Sequence, residues 1–279
     1  MNASRVLVVS DSHLSAAAVE AGANWDAVVA YADAAQLDVV LHLGDLSLDG
    51  AHGLDDLTHG REQLDRLPVG WHALPGNHDI GDNPWPGAPD HMAAIDDERR
   101  RRWLDTVGPD FWGLDVDGWR LVAVNAQLFG SGLAAEADQW AWLGAELADC
   151  PSDRALAFLT HKPLVAPAEE LSTGAPYRFV PPVARARLDE LFAERPPSVV
   201  VSGHVHQYRV QDRDCCQHVW APTTWAVLPE EMQPTFGVKR CGVLELSLGR
   251  AGAVRQELVE PPGLAQLTLE RDLPVPYRD

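Results

Sequence analysis

The sequence predicts an α/β domain in which helices alternate with the parallel strands of a layered sheet. Three short apolar runs, at 5–10, 38–45 and 71–79, are typical of buried strands, and helical patterns lie between them. The chain has 279 residues, which is enough to bury a large core. Hydrophobic residues make up 46% of it and charged residues 23%, so the composition is that of an ordinary globular protein.

The first half of the chain alternates between strands and helices. After the first strand, the pattern predicts a helix at about 25–36, with Asn24 as its N-cap. The stretch "DVVLHLGD" at 38–45 predicts the second strand, and a helix is expected at 55–66. "WHALPGNHD" at 71–79 supplies the third strand. This order is that of βαβ units, which build parallel sheets.

An interruption follows the third strand. Residues 81–105 begin with a turn-rich stretch and continue with "DDERRRRW", which predicts a helix, so we expect an insertion at this point. The four arginines at 99–102 are expected to form a solvated face of that helix rather than a phosphate clamp.

The second half mixes hairpin, helix and strand signals. Asp117-Gly118 lies between two apolar runs, which is a strong signal for a β-hairpin. The elements expected after it are a helix at 136–148, a strand that ends at His161, a helix at 183–194 and a strand at 198–210 interrupted by Gly203. Short strands and turns follow to about residue 259. We therefore expect one domain over 1–260 and a Pro-rich tail over 261–279.

The charge of the chain argues against polyanionic partners. The formal net charge is −19 and the sequence pI is about 4.8, whereas nucleic-acid binding depends on Lys and Arg side chains that neutralise phosphates. The apolar run at 6–9 is too short to span a bilayer or to form the core of a signal peptide. We expect a cytoplasmic protein without membrane or nucleic-acid partners, and the sequence leaves homo-oligomerisation open.

The cysteines show no metal-binding or disulfide pattern. None lies in a CxxC spacing, and two of them are adjacent in the set Cys150, Cys215, Cys216 and Cys241. Adjacent cysteines bridge only with strain, so all four are expected to be reduced, as is usual in cytosolic proteins.

Polar residues cluster where five predicted strands end. The clusters are Asp11-Ser12-His13, Gly44-Asp45, Gly76-Asn77-His78-Asp79, His161 and Gly203-His204-Val205-His206. In open α/β sheets, ligands bind outside the carboxyl ends of the strands. All the donors are oxygen or nitrogen atoms, which suit Mn, Fe, Zn or similar divalent ions. Each cluster alone has an ordinary interpretation, such as a turn cap for Asp11, but their coincidence at one edge predicts a metal site.

The spacing of the donors predicts how they converge. Asp11 and His13 are two residues apart, as are His204 and His206, and in an extended chain such pairs point to one side. The donors are too many for one four-coordinate ion, and Asp45 is of a type that can bridge two ions about 3.5–4 Å apart. Glycines precede several donors, where a side chain would crowd the backbone near a metal. These glycines are Gly44, Gly76 and Gly203.

The motifs DSH, GD, GNHD, TH and GHVH, which occur in this order between residues 5 and about 210, resemble those of the calcineurin-like metallophosphoesterase superfamily. The resemblance implies a four-layer α/β/β/α sandwich with a dimetal site at the edge of the sheets. It also implies the ligands: Asp11, His13 and His206 for the first metal, Asp45 as the bridge, and Asn77, His161 and His204 for the second. His78 matches the family's histidine that is not a ligand but contacts the phosphate and can protonate the leaving oxygen.

Within the superfamily, the chain looks most like the bacterial cyclic-nucleotide phosphodiesterase and glycerophosphodiesterase branch, which has GNHD and GHxH. Phosphoprotein phosphatases have GNHE and an arginine in GDxVDRG, whereas this chain has Asp79 and "GDLSLDG". Purple acid phosphatases place a tyrosine three residues after the bridging aspartate, where this chain has Leu48. Many members of the favoured branch have at that place an aspartate that orients the catalytic histidine, so the group that orients His78 is left open.

The function that the resemblance implies is hydrolysis of phosphate esters with two divalent or mixed-valence ions (Mn, Fe or Zn) and a metal-bridging hydroxide as the nucleophile. A phosphodiesterase for small molecules such as cyclic nucleotides or glycerophosphodiesters is favoured. A phosphomonoesterase, a metal-dependent nuclease and a non-catalytic metal-binding scaffold are the alternatives. Two segments are expected to select the substrate, namely 81–105 with Trp85 and Trp103, and 163–182 with Tyr177 and Arg178.

Overall fold

The computed structural model describes residues 3–85, 93–167, 178–213 and 216–273. The strands are β1 (Ser4–Val9), β2 (Val39–His42), β3 (Trp71–Ala73), β4 (Trp112–Val116), β5 (Trp119–Val124), β6 (Ala155–Thr160), β7 (Val199–Ser202), β8 (Arg209–Arg213), β9 (Cys216–Trp220), β10 (Val243–Leu248) and β11 (Val254–Val259). The α-helices are α1 (Val19–Ala34), α2 (Asp55–Leu64), α3 (Asn77–Ile80), α4 (Asp97–Thr106), α5 (Ala134–Asp149) and α6 (Pro182–Glu194).

The strands form two sheets. The first has the order β11-β10-β1-β2-β3, and the second has the order β4-β5-β6-β7-β9-β8. Strands β1, β2 and β3 are parallel to one another, as are β5, β6, β7 and β9. The remaining strands, β4, β8, β10 and β11, pair antiparallel with their neighbours. Three of them are edge strands, whereas β10 lies inside the first sheet between β11 and β1. Parallel strands end at a common edge, and the predicted donor residues follow them there.

The side chains of β1 show how the layers are held together. Val6 and Val8 point into a core between the two sheets, where they meet residues of β5, β6 and β7. Leu7 and Val9 point the other way and pack against α1 and α2. A third core lies between the second sheet and helices α5 and α6. Because strand residues alternate between faces and both faces are covered, β1 is apolar from Val6 to Val9. The order of the layers is α/β/β/α.

Most of the predicted elements are present. The Asp117-Gly118 turn joins β4 to β5, with Gly118 at φ +80. The helices expected at 55–66, 136–148 and 183–194 correspond to α2, α5 and α6, and the arginine-rich stretch forms α4. The strand expected at 198–210 is divided into β7 and β8, with Gly203 in the gap.

Two predictions about the first half are wrong. Helix α1 starts at Val19, six residues before the expected start, and Asn24 is a buried residue inside it rather than its N-cap. The Asn24 amide donates to the carbonyls of Thr224 (2.8 Å) and Ala265 (3.1 Å) and accepts from the Ala265 N–H (2.8 Å). A polar residue that looks like a cap therefore serves a long-range contact. The third strand is also shorter than expected, since it ends at Ala73 and the "NHDI" stretch begins a helical turn.

The first part of the Pro-rich tail packs onto the domain as far as the structure describes it. Leu267, Leu269 and Leu273 join a small apolar cluster with Trp225 and Ala21. A bridge between Val227 and Thr268 adds backbone pairing. The division of the chain at residue 260 stays a prediction.

Cys150, Cys216 and Cys241 are free thiols, as expected, while Cys215 lies outside the described residues. Burial raises the pKa of both Cys216 and Cys241 to about 11.

Among the helices described, none combines the length and the apolar character that crossing a bilayer requires.

Candidate metal centre

The seven residues expected as ligands all follow strands at one edge of the two sheets. Their donor atoms form two groups. The first group consists of Asp11, His13, Asp45 and His206, and the second consists of Asp45, His161 and His204. Within each group, all the donor atoms lie within 4.8 Å of one another. Asp45 belongs to both, as a bridging carboxylate must. Asn77 adjoins the second group, with its Oδ1 atom 3.3 Å from His161 Nε2.

The polypeptide reaches this arrangement through strained backbone rather than extended chain. Asp11 and His13, with φ +53 and +44, both lie in the left-handed region, and three further residues expected as ligands share it. These are Asp45 (φ +52), His204 (φ +70) and His206 (φ +51). Non-glycine residues with positive φ are uncommon, cost on the order of 1–3 kcal/mol each, and concentrate at functional sites.

The expectation that each i, i+2 pair serves one site is therefore only half correct. Asp11 and His13 do lie in one group, but His204 and His206 belong to different groups. The reason is that neither pair is extended, so the alternation of a strand does not decide where the side chains point. The division of His204 and His206 between two groups agrees with what the family resemblance implies.

Hydrogen bonds between loops hold the strained backbone in place. The Asp11 N–H donates to the Gly44 carbonyl and the His13 N–H to the Asp45 carbonyl, each at 3.0 Å. The Thr223 hydroxyl donates to the Asp11 carbonyl at 2.8 Å. The loop after β1 is thus tied both to the loop after β2 and to the segment that follows β9.

The glycines before the donors are required by close packing, as predicted. A Cβ atom on Gly203 would lie 1.9 Å from Ser10 Oγ, and one on Gly44 would lie 2.5 Å from His161 Nδ1. A Cβ atom on Gly76 would lie 2.1 Å from the Oδ1 atom of Asp45 and 2.4 Å from its backbone nitrogen.

Replacing Gly76 with alanine is therefore expected to displace Asp45 and to lower metal binding, with a loss of about 1–3 kcal/mol of unfolding free energy from overpacking. The matched control is Gly22→Ala in α1, where a Cβ atom would meet nothing within 4 Å. The control should stabilise the protein by about 0.5–1 kcal/mol because alanine is the better helix former. Chemical denaturation and metal analysis of both variants measure the two effects. Equal metal content in the two variants would contradict the packing argument.

The histidine tautomers favour a cation between the side chains. His161 and His206 both direct Nδ1 at a backbone carbonyl, of Leu43 and Ala226 respectively, at 2.7 Å. A neutral imidazole that donates from Nδ1 has a lone pair on Nε2. His206 Nε2 lies 3.3 Å from His13 Nε2 and 3.5 Å from a carboxylate oxygen of Asp11. Such converging acceptors are the arrangement that second-sphere hydrogen bonds create around a metal.

The electrostatics of the groups point the same way. Burial alone would raise the pKa of Asp45, but His161 and His78 outweigh it and hold the pKa well below its usual value. Burial alone would lower the pKa of His161, but Asp45 outweighs it and raises the pKa to about 9. The buried Nε2 atom of His204 has no hydrogen-bond partner within the described part of the chain. Asp45 contributes a buried negative charge to both groups, and the donor set fits two metal ions that share Asp45.

His78 stands beside the two groups and is oriented by the main chain. Its Nδ1 atom lies 2.8 Å from the carbonyl oxygen of Leu48, and its backbone N–H donates to Asp45 Oδ1 at 2.9 Å. The Leu48 carbonyl is therefore placed to orient the His78 ring. The His78 ring meets that of His13 edge-on, with 4.5 Å between the centroids.

Asp79, the next residue, holds the GNHD turn against the loop after β2. Its carboxylate accepts from the N–H groups of Gly76 (2.8 Å), Ser47 (2.8 Å) and Leu46 (3.1 Å), and from the Ser47 hydroxyl (2.6 Å). Burial and the nearby charge of Asp45 raise the pKa of Asp79 to about 6. The three adjacent polar residues 77–79 thus face three different partners.

A buried polar network behind Asn77 was missed by sequence reasoning. Lys162 is fully buried, and its Nζ atom donates to Asp82 and, at 2.8 Å, to Asn83. The Gln127 amide, oriented with its nitrogen toward Asp82 and Asn83, accepts from the Asn77 N–H at 3.1 Å. One signal was available, because Lys162 is one of only two lysines in the chain and directly follows His161.

The segments expected to select the substrate are only partly described. Trp103 is fully buried in the core beside α2, so its assignment to the pocket is wrong. Arg178 is largely buried and donates to the Met232 carbonyl at 2.9 Å, and Trp85 is half-buried. Tyr177 lies outside the described residues, as do 86–92 and 168–176.

Two sheets enclosed by helices, with an Asp/His centre at their common edge, define the class of the metallophosphoesterases. A family model described as calcineurin-like phosphoesterase matches residues 4–208, which is well over half of the chain. The protein belongs to the calcineurin-like phosphoesterase family, and it is therefore a hydrolase of the phosphoester class.

Solved structures share the fold at low sequence identity. A purple acid phosphatase from yellow lupin seeds is 17% identical with a TM-score of 0.64, and the match covers 92% of this chain and 51% of that one. This chain thus spans about half the length of the lupin protein. A dimetal phosphatase from Danio rerio is 13% identical with a TM-score of 0.60, and the match covers 92% and 99% of the two chains.

A third structure is GAP50, the anchor in the inner membrane complex of Plasmodium, at 11% identity and a TM-score of 0.63, with 95% and 87% of the two chains covered. At these identities the likeness concerns the fold alone. A search of curated protein sequences found no match.

Proposed function

We propose that the protein is a dimetal-dependent phosphodiesterase that acts on small molecules. The observation that carries this proposal is the sharing of one buried carboxylate, Asp45, between two donor groups. Asp11, His13 and His206 would hold one ion with Asp45, and Asn77, His161 and His204 would hold the other. When bound, two such ions polarise the phosphoryl oxygens and generate hydroxide near neutral pH.

The protein's own contribution to the reaction is made by His78. With Nδ1 directed at the Leu48 carbonyl, the opposite nitrogen of the ring is the atom that can meet a phosphate oxygen. There a protonated imidazole stabilises developing charge and gives its proton to the leaving oxygen. His78 is partly exposed, whereas Asp11 and Asp45 are buried.

The preference for diesters is supported by the GNHD and GHxH motifs, which are those of the cyclic-nucleotide and glycerophosphodiesterase branch. The aspartate of GNHD is Asp79, and its carboxylate ties the GNHD turn to the loop after β2 through hydrogen bonds from the Gly76 and Ser47 N–H groups. Mn, Fe and Zn all accept this set of oxygen and nitrogen donors.

A panel of phosphomonoesters and phosphodiesters, assayed with Mn, Fe, Zn and Mg, tests the proposal. We expect diesters to be hydrolysed faster than monoesters, and single- or double-stranded DNA to be a poor substrate because the protein carries a net charge of −19. Faster turnover of monoesters would identify a phosphatase, and rapid cleavage of DNA a nuclease. Fewer than one bound ion per chain after Mn or Fe supplementation, without turnover, would identify a non-catalytic scaffold.

A further inference from the structure

Helix α4 holds the loop that orients His78. We propose that Arg99 and Arg102 of this helix are positioning residues for His78 and act through residues 48–53, the His78 loop. The proposal rests on the proposed function in one respect, the catalytic role of His78. It gives a task to the arginine run, which was expected to be solvated.

The His78 loop contacts His78 at two points. The Leu48 carbonyl oxygen lies 2.8 Å from Nδ1 of the imidazole, and the Ala51 N–H donates to the His78 carbonyl at 2.8 Å. A backbone carbonyl has no rotamers of its own, so its direction is fixed only as well as the loop that carries it. The orientation of the His78 ring therefore depends on how firmly this loop is held.

On the opposite side, Ala51 is held by two guanidinium groups. Arg99 Nε donates to the Ala51 carbonyl at 2.9 Å, and Arg102 Nη2 donates to the same oxygen at 2.8 Å. Ala51 is only 4% exposed, so the oxygen that accepts these charge-assisted bonds lies in a buried residue. Arg99 is itself fixed by the Asp96 carboxylate. Ala51 thus lies between His78 and α4 and is bonded to both.

The rest of the His78 loop is anchored separately. The Asp49 N–H donates to Asp56 at 3.1 Å, and the Gly50 N–H donates to the Ser47 hydroxyl at 3.2 Å. Within the described residues, Arg99 and Arg102 are the partners of the Ala51 carbonyl. Removing them loosens the loop at Ala51, while the anchors on α2 and Ser47 and the hydrogen bond from the Leu48 N–H to the Leu14 carbonyl (3.1 Å) remain. The other two arginines do different things, since Arg100 pairs with Asp110, whereas Arg101 is exposed.

The test compares Arg99→Ala, Arg102→Ala and the double variant with Arg101→Ala, which removes the same charge from the same helix. The activated substrate is bis(para-nitrophenyl) phosphate, and the substrate with an alkoxide leaving group is glycerophosphoethanolamine. We expect kcat for the alkoxide substrate to fall about tenfold in each single variant and about a hundredfold in the double variant, as a misplaced catalytic group implies. KM, metal content and turnover of the activated ester should change less than twofold, as should all values in Arg101→Ala.

A second readout does not require activity. Nitrogen-15 NMR of the imidazoles in the metal-free protein, with His78→Ala to assign the signal, should show a shifted or broadened His78 resonance in the Arg99 and Arg102 variants only. The variant Arg102→Lys should retain part of the kcat that Arg102→Ala loses, because lysine keeps a charged donor. An unchanged His78 resonance, or an equal fall in kcat for both esters, would overturn the proposal. Wild-type protein without esterase activity would contradict the proposed function instead, and the NMR comparison would still decide the positioning role.

Discussion

Replacing Asp45 with asparagine is expected to remove most of the bound metal from both donor groups and to lower kcat on the order of a thousandfold or more. The Asp45 Oδ2 atom lies 3.4 Å from His161 Nε2 and 3.8 Å from His13 Nε2, so its negative charge serves both groups at once. Asparagine has nearly the same shape and can still accept the His78 N–H through Oδ1, so the fold should survive.

Metal analysis and steady-state kinetics measure this effect, and Asp117→Asn is the matched control. Asp117 is exposed in the β4–β5 turn, so its replacement removes the same charge far from any donor group. The control should keep its metal and its turnover. An Asp45→Asn protein that retained two ions per chain would show that Asp45 does not bridge them.

The variant His78→Ala is expected to keep both metal ions but to lose about 10²–10⁴-fold in kcat on esters with alkoxide leaving groups, the usual contribution of general acid catalysis. The loss should be much smaller on bis(para-nitrophenyl) phosphate, because para-nitrophenolate departs without a proton. The contrast between the two substrates separates proton donation from a general loss of structure.

His59→Ala provides the control for His78, since it removes a histidine from helix α2 outside both donor groups. Kinetics on both esters and metal analysis should leave this control close to the wild type. Full activity of His78→Ala on the alkoxide substrate would show that another group supplies the proton.

The layers and the donor residues were predictable because both depend on residue type. Buried parallel strands require apolar runs, and metal ligands require Asp, His or Asn at strand ends, so the sequence displays both. The backbone conformation of the donor residues was harder to predict from the sequence. The left-handed backbone at Asp11, His13 and three further residues gives no sign in the sequence, because glycine is the residue that signals positive φ.

Main-chain contacts explain why the orientation of His78 could not be predicted. The resemblance implies an aspartate side chain as the orienting group, and this chain has Leu48 at that place, yet the backbone carbonyl oxygen of Leu48 is the partner of His78 Nδ1. Asn24 and the arginines of α4 show the complementary error. Each has a common local use, as a helix cap or a solvated face, and each is engaged instead with a segment distant in sequence. Local pattern cannot anticipate partners that only the folded chain brings together.

Two contacts that hold the donor residues come from beyond residue 208, where the match to the family ends. The Ala226 carbonyl contacts Nδ1 of His206, and the Thr223 hydroxyl donates to the Asp11 carbonyl. Strand β10, beside β1, also comes from this later stretch. The shortest piece of the chain that could work as an independent catalyst therefore extends well past the last motif. A minimal or transplanted version of this centre must therefore include the residues that hold the motifs in place, such as Thr223, Ala226 and β10, as well as the motifs themselves.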